Sequence, residues 1–327
     1  MPADNIFLLV IILICSLAGL MKGADVLIEG SSKLAKKMGV SNLVIGLTVV
    51  ALGTSLPEFV VSVGAALNQK GELALANVIG SNITNILLVL GATAIITPVP
   101  APSQLIRKDL PLKLLLVMVF TLMACFPREG FAEFTGLVPR TGGVILLLFF
   151  MAFILRLILD KGSIEEDQDE EGQAISLAKP TIQIVIGSIG LILGGKFTVD
   201  SAVGIAKFAG VSDTTIGLTI VALGTSLPEL VASYAAARKG FTGMVVGNVV
   251  GSNLMNLALV LGTAATIAPI NVDSKTYTDI ITMTAITAGM CAILKWRAKP
   301  QIDRPMGILF LLGYFSYMTF VAFRAQA

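Results

Sequence analysis

The chain has 327 residues, 55% of them hydrophobic and only 13% charged, about half the charged share of a soluble domain. That composition all but excludes a cytosolic enzyme and predicts a polytopic membrane protein, since about 20 apolar residues cross the hydrocarbon core. The net charge of +2, with Lys and Arg scattered, leaves no basic stripe for nucleic acid, and the absence of His removes His metal ligation, His proton relays and His-assisted nucleophilic catalysis.

In chain order, apolar stretches of spanning length are read at 5–38, 41–68, 71–97, 109–126, 139–160, 180–207, 213–237, 241–268, 277–295 and 304–324. Each is predicted to be a helix, because lipid cannot satisfy an open backbone and no alternating barrel pattern is present. The first and sixth are long enough to require tilting or an interfacial bend. The start, MPADN, carries Asp4 and no Lys or Arg before the apolar run, so it does not read as a cleavable signal peptide. Fifteen of the 23 Lys and Arg fall on one side of these ten spans, among them Lys33, Lys36, Arg107, Lys108, Lys113, Arg156, Arg238, Lys295 and Arg304. Six fall on the other, Lys70, Arg128, Arg140, Lys207, Lys275 and Arg324. The richer side is assigned to the cytoplasm, which places both termini outside an inner (plasma) membrane.

Between the fifth and sixth spans Glu165, Glu166, Asp167, Asp169, Glu170 and Glu171 crowd into seven residues. The stretch lacks EF-hand spacing and reads as a solvated cytoplasmic linker, 161–179, between a first five-helix unit (1–160) and a second (180–327). Cys15, Cys125 and Cys291 lie far apart in apolar runs and read as packing residues.

Sliding the chain against itself by 171 residues aligns 39–98 with 210–269 without a gap, and 33 of the 60 positions are identical. The core of the match is GLTVVALGTSLPE at 46–58 against GLTIVALGTSLPE at 217–229, followed by NVIGSNITN at 77–85 against NVVGSNLMN at 248–256. The copies lie five spans apart. Five is odd, so they enter the membrane from opposite faces, the pattern of inverted repeats around a midplane site. The fold class is therefore an all-α polytopic membrane protein, ten transmembrane helices in two inverted-topology five-helix repeats.

Glu58 and Glu229 stand well inside apolar spans, where a carboxylate is costly unless neutralised. No Lys or Arg is within a helical turn of either, so a cation or a proton is the expected partner. Pro57 and Pro228 each remove an amide hydrogen and clash with the carbonyl four residues back, at Gly53 and Gly224, freeing backbone oxygens beside the carboxylate. Thr54 and Ser55 precede Glu58 by four and three residues, which predicts one shared helix face. Asn77, Ser81 and Asn85 follow at i, i+4 and i+8 in the next span, and Thr225, Ser226, Glu229, Asn248, Ser252 and Asn256 repeat the pattern. Hydroxyl, amide, backbone and carboxylate oxygens suit a hard cation such as Ca2+ and disfavour soft metals. Gly46, Gly80, Gly91 and their copies are read as close-packing positions. Lys22, Asp25, Glu29, Lys196 and Asp200 are read as local salt bridges or snorkelling groups.

The paired GTSLPE and GSNxxN motifs resemble the alpha-repeats of the cation/Ca2+ antiporter superfamily, and the whole chain is similar to prokaryotic sodium/calcium exchangers. The resemblance implies ten helices, with spans two, three, seven and eight enclosing the ions while one and six slide across them. It implies as ligands Thr54, Ser55, Glu58, Ser81 and Asn85 with Thr225, Ser226, Glu229, Ser252 and Asn256, joined by the backbone carbonyls of Ala51 and Ala222. Some relatives carry Asp at the position of Asn256. Both copies here have Asn, so the site holds two formal negative charges.

The expected function is a secondary antiporter exporting Ca2+ against inward Na+, without a cofactor, its partners being the ions and membrane lipid, with no protein partner implied. Ca2+/H+ exchange is the nearest alternative, and K+-dependent exchange or a cation channel stand behind it. No nucleophile elbow or nucleotide-binding loop supports an enzyme.

Overall fold

A bilayer offers the backbone no hydrogen-bond partners, so the apolar stretches can only close their bonds internally. The computed structural model describes residues 6–125, 136–159, 177–211, 216, 220 and 222–326. Its helices are α1 (Ile6–Met38), α2 (Asn42–Thr54), α3 (Leu56–Leu67), α4 (Gly71–Ile96), α5 (Leu110–Cys125), α6 (Arg140–Leu159), α7 (Ala178–Phe208), α8 (Leu227–Arg238), α9 (Thr242–Ile267), α10 (Ser274–Trp296) and α11 (Arg304–Gln326). The MPADN start and most of the acidic 161–179 linker lie outside the described residues.

Seven of these helices are long and apolar enough to cross a membrane, and α2 with α3 makes an eighth span bent by 50°. Two expected spans remain. The fourth is α5, 16 residues that a π-helical turn, Leu105–Asp109, runs into without a break, and the seventh is traced as the turn Ala222–Gly224 followed by α8. Four short strands accompany the helices. β1 (Val99–Pro100) pairs antiparallel with β4 (Gln301–Ile302), and β2 (Gly136–Val138) with β3 (Ile270–Val272), each joining a loop of one half to a loop of the other.

Helix ends follow local chemistry. The Ser41 hydroxyl accepts from the Val44 amide at 3.3 Å to open α2, and Asp273 accepts from the Thr276 amide at 2.8 Å to open α10, each satisfying an otherwise orphaned donor. Gly39 and Gly210, the same residue of the two copies, take φ of +63° and +77° just after α1 and α7, a left-handed turn that glycine adopts without a Cβ penalty.

Burial grades the helices by depth. In α9 94% of the spanning window is buried and in α4 72%, against 17% in α1 and in α11. The two helices carrying GSNxxN are thus the innermost, and the apolar helices around them keep their amides and hydroxyls out of lipid. α1 and α7, of 33 and 31 residues, pack along each other antiparallel. A Cβ on Gly23 would meet Gly190, one on Gly30 would meet Pro180, and one on Gly204 would meet Leu9. This pair also lies over the broken helices, since Gly53 faces Ser188 and Leu27, and Gly195 faces Pro228.

Candidate functional site

The prolines break their helices, though not as interior defects. α2 ends at Thr54, Ser55 takes a non-helical backbone, and Pro57 falls in the first turn of α3; Pro228 holds the same place in α8. A first-turn proline lacks only an amide hydrogen that would have been orphaned anyway, so it starts the second half-helix. The Ala51 carbonyl is engaged by the Ser55 amide at 3.0 Å and the Thr54 hydroxyl at 3.3 Å. Ala222 opens the short turn that leads to Ser226.

The bend corrects one expectation. Thr54 and Ser55 do not share a face with Glu58. Turning the chain at Ser55 sends both toward the other copy, where Ser55 donates to Glu229 Oε1 at 3.2 Å, and Thr54 lies 3.3 Å from Ser252 Oγ and 3.2 Å from Asn248 Oδ1. Glu58 in turn receives Ser81 Oγ at 3.3 Å from α4 and has Thr225 of the second copy beside it. Each carboxylate is therefore dressed by its own copy's serine helix and by the opposite copy's threonine turn.

Glu58 and Glu229 are completely buried, as are Thr54, Asn85, Ser252 and Asn256, and Ser55, Ser81 and Ser226 are nearly so. One oxygen of each carboxylate, Oε2, has no hydrogen-bond partner, nor have the Ser226 hydroxyl and both amide atoms of Asn85 and Asn256. Buried polar atoms are seldom left unpaired without a reason, and here they include both acids and three other residues of the repeated motifs. Among the described residues no Lys or Arg acts on either. Asn85 and Asn256 each start a π-helical turn, Asn85–Leu90 and Asn256–Leu261, a widening that is frequent at functional sites and that the sequence did not announce.

The sequence places Asn77 and Asn248 in the oxygen-bearing pattern but does not single out the serines that hold them, Ser62 and Ser233. Asn77 Nδ2 donates to Ser62 Oγ at 3.0 Å, and Asn248 Nδ2 to Ser233 Oγ at 3.1 Å. The signal was present: a Ser followed fifteen residues later by Asn, in both copies. The glycines largely pack as expected. A Cβ on Gly46 would meet the Met244 carbonyl at 2.7 Å, on Gly251 the Leu47 carbonyl at 2.6 Å, on Gly91 the Gly307 carbonyl at 3.1 Å and on Gly262 Leu146 at 3.1 Å. Gly80 is the exception, with nothing within 4 Å. Of the charges on α1 and α7, Glu29 pairs with Lys33 at 2.5 Å and Asp25 with Lys239 at 3.5 Å, while Lys22 and Lys196 are exposed. The three cysteines are free thiols.

A polytopic helical membrane protein that encloses two acids in hydroxyl and amide oxygens belongs to the broad class of ion-handling transporters. The chain matches the family model described as sodium/calcium exchanger protein over residues 8–159 and 179–323. It is 34% identical over 316 residues to inner membrane protein YrbG of Escherichia coli, covering 94% of each chain. It is 30% identical to sodium/calcium exchanger MaX1 of Methanosarcina acetivorans, over 94% of this chain and 97% of that one. Its fold superposes on a solved structure of the sodium-calcium exchanger NCX_Mj soaked with 10 mM Na+ and zero Ca2+, with a TM-score of 0.82 and 32% identity, covering 96% of this chain and 99% of that one. The chain belongs to the sodium/calcium exchanger family and is a membrane cation/Ca2+ antiporter.

Proposed function

We propose that the protein exchanges Ca2+ for Na+ by alternating access at an all-oxygen midplane site shared by the two repeat copies. The observation that carries this reading is the pair of fully buried acids, each with one oxygen unpartnered and with serine and threonine hydroxyls of both copies against it. An ion must supply the missing neutralisation. Two carboxylates balance one Ca2+ or two Na+, so occupancy of overlapping sites by one or the other couples the fluxes. The ligands are Thr54, Ser55, Glu58, Ser81, Asn85, Thr225, Ser226, Glu229, Ser252 and Asn256, with the carbonyls of Ala51 and Ala222. K+ is not obligatory, and no cofactor or protein partner takes part.

The same reading takes the chain as ten spans in two inverted units, 1–160 and 180–327, joined by the cytoplasmic linker 161–179, with both termini outside the inner membrane. Several contacts support it. α1 and α7, corresponding helices of the two units, run antiparallel. Arg324 donates to the Lys275 carbonyl at 2.9 Å, both assigned outside, and Arg156 to the Lys108 carbonyl at 3.3 Å, both assigned inside. The first turns of α4 are open, with Ala76 exposed and Asn77 and Gly80 half-buried, whereas Gly247, Asn248 and Gly251 of α9 are buried. On this topology the less buried of the two helix faces is the outer one, while both acids themselves are closed off.

The test is uptake into liposomes holding the purified protein. Internal Na+ diluted outside should drive Ca2+ accumulation, external Na+ should compete, K+ should be dispensable, and a pH gradient alone should drive little. Robust uptake on a pH gradient in Na+-free buffer, with no Na+-driven component, overturns the sodium reading in favour of Ca2+/H+ exchange.

A further inference from the structure

We propose that Asn77 and Asn248 are positioning residues, each fixing the hydroxyl of the opposite copy's motif threonine so that its lone pairs face the transported cation. The inference rests on the cation site proposed above and adds to it two residues that are not ligands. Asn248 Oδ1 lies 3.2 Å from Thr54 Oγ1, and Asn77 Oδ1 lies 3.4 Å from Thr225 Oγ1. Each bond crosses between copies, joining α9 to the end of α2 and α4 to the turn before α8. The same geometry twice, in segments that share sequence but not surroundings, is not an accident of packing.

The orientation of the amides is fixed by what lies behind them. Asn77 Nδ2 is 3.0 Å from Ser62 Oγ and 3.4 Å from the backbone carbonyl of Glu58. A carbonyl only accepts, so the NH2 group must face that side and Oδ1 must face Thr225. Asn248 makes the corresponding contact with Ser233 at 3.1 Å; a hydroxyl both donates and accepts, so its orientation follows from the likeness to Asn77. An amide oxygen also only accepts, so it draws on the threonine proton, at Thr54 in competition with the Ala51 carbonyl at 3.3 Å. On their other side the hydroxyls face Ser252 at 3.3 Å and Glu229 in the case of Thr54, and Glu58 in the case of Thr225. A hydroxyl whose proton the asparagine holds offers lone pairs to a cation seated between it and the carboxylate, whereas a hydroxyl free of the asparagine gives its proton to the carboxylate. A flipped amide would instead present NH2 to the threonine oxygen and consume a lone pair that a cation needs. The backbone carbonyl of Glu58 takes part in the anchor, so the clamp also ties a threonine of one copy to the acid-bearing helix of the other.

A crossed set of double-mutant cycles tests this, read as equilibrium 45Ca2+ binding to the purified full-length protein. Outer-sphere partners of metal ligands typically cost about 10–100-fold in affinity when removed, so Asn248→Ala and Thr54→Val should each weaken Ca2+ binding about tenfold. Because Asn248 acts through Thr54, the double variant Asn248→Ala/Thr54→Val should be no weaker than the singles. Asn248→Ala combined with Thr225→Val, which it does not touch, should multiply. Asn77→Ala should couple to Thr225→Val and not to Thr54→Val. A merely structural role would give no such crossed pattern. If Asn248→Ala fails to fold, judged by its melting curve, Ser233→Ala replaces it in the same cycle. Multiplicative losses in both pairings, or wild-type affinity in the single asparagine variants, overturn the clamp. Absence of Ca2+ binding by the wild-type protein would instead overturn the cation site on which the clamp depends.

Discussion

Gly80 and Gly251 are the same residue of a duplicated motif, and they meet opposite surroundings. A side chain at 251 would collide with the backbone of Leu47 at 2.6 Å and with Ala51, whereas one at 80 would touch nothing. The contrast extends along both helices, from exposed Ala76 against buried Gly247 to half-buried Asn77 against buried Asn248. Nearly identical segments placed in one bundle would, in a symmetric molecule, have identical neighbours. The two copies thus sit in unequal environments, and on the alternating-access reading proposed above an exchange of those environments is what would carry the site from one side to the other.

The largest expected effect tests whether the copies are equal in chemistry though unequal in packing. Glu58→Gln and Glu229→Gln should each abolish Ca2+ transport in liposomes while leaving a folded protein, because each removes a charge and a ligand from an ion that has shed its hydration shell. Glu29→Gln, which breaks the pair with Lys33 at the protein surface and weakens contacts with Lys239 and Gln183, should retain substantial activity. Near-normal transport by either of the buried-site variants would mean that one copy is decorative.

The glycines separate the two environments more finely. Gly251→Ala should lower stability by about 1–3 kcal/mol, the usual cost of overpacking, seen as a lower melting temperature in detergent, because its neighbours are backbone atoms that cannot swing away. Gly80→Ala should melt as the wild type does and yet slow exchange, since the opposite state needs that face closed. Equal losses of stability at both positions would show that the asymmetry is not a property of the dominant state.

Much of this is legible in the sequence. The duplicated GTSLPE and GSNxxN motifs named the acids, and the spacing within α4 and α9 aligned Ser81 with Asn85 and Ser252 with Asn256. What the sequence hid was which copy serves which acid. Helical periodicity put Thr54 with Glu58, because i to i+4 geometry presumes a continuous helix, and the 50° break at Ser55 voids that premise. The π-turns at Asn85 and Asn256 were hidden for a related reason: one extra residue per turn leaves the apolar pattern almost unchanged. Ser62 and Ser233, small and embedded in apolar runs, look like packing residues until the Asn that each anchors is seen fifteen positions on.

The smallest effect concerns the loop between the second and third spans, where the copies differ in residue but not in shape. Gly240 takes φ +79°, and its counterpart 171 residues earlier, Gln69, takes φ +57°. Both turns need the left-handed conformation after a helix end: Gln69 N donates to the Ala66 carbonyl at 3.0 Å and Gly240 N to the Ala237 carbonyl at 3.0 Å. Glycine adopts this conformation freely, whereas an L residue with a Cβ is disfavoured there by about 1–2 kcal/mol. Set against this is the greater freedom that glycine has in the unfolded chain, roughly 0.5–1 kcal/mol. Gln69→Gly should therefore stabilise by at most about 1.5 kcal/mol, and Gly240→Gln should destabilise by a similar amount, both read as opposite shifts in melting temperature with transport unchanged. Shifts of the same sign would show that side-chain contacts, and not the backbone conformation shared by the two turns, set their energies.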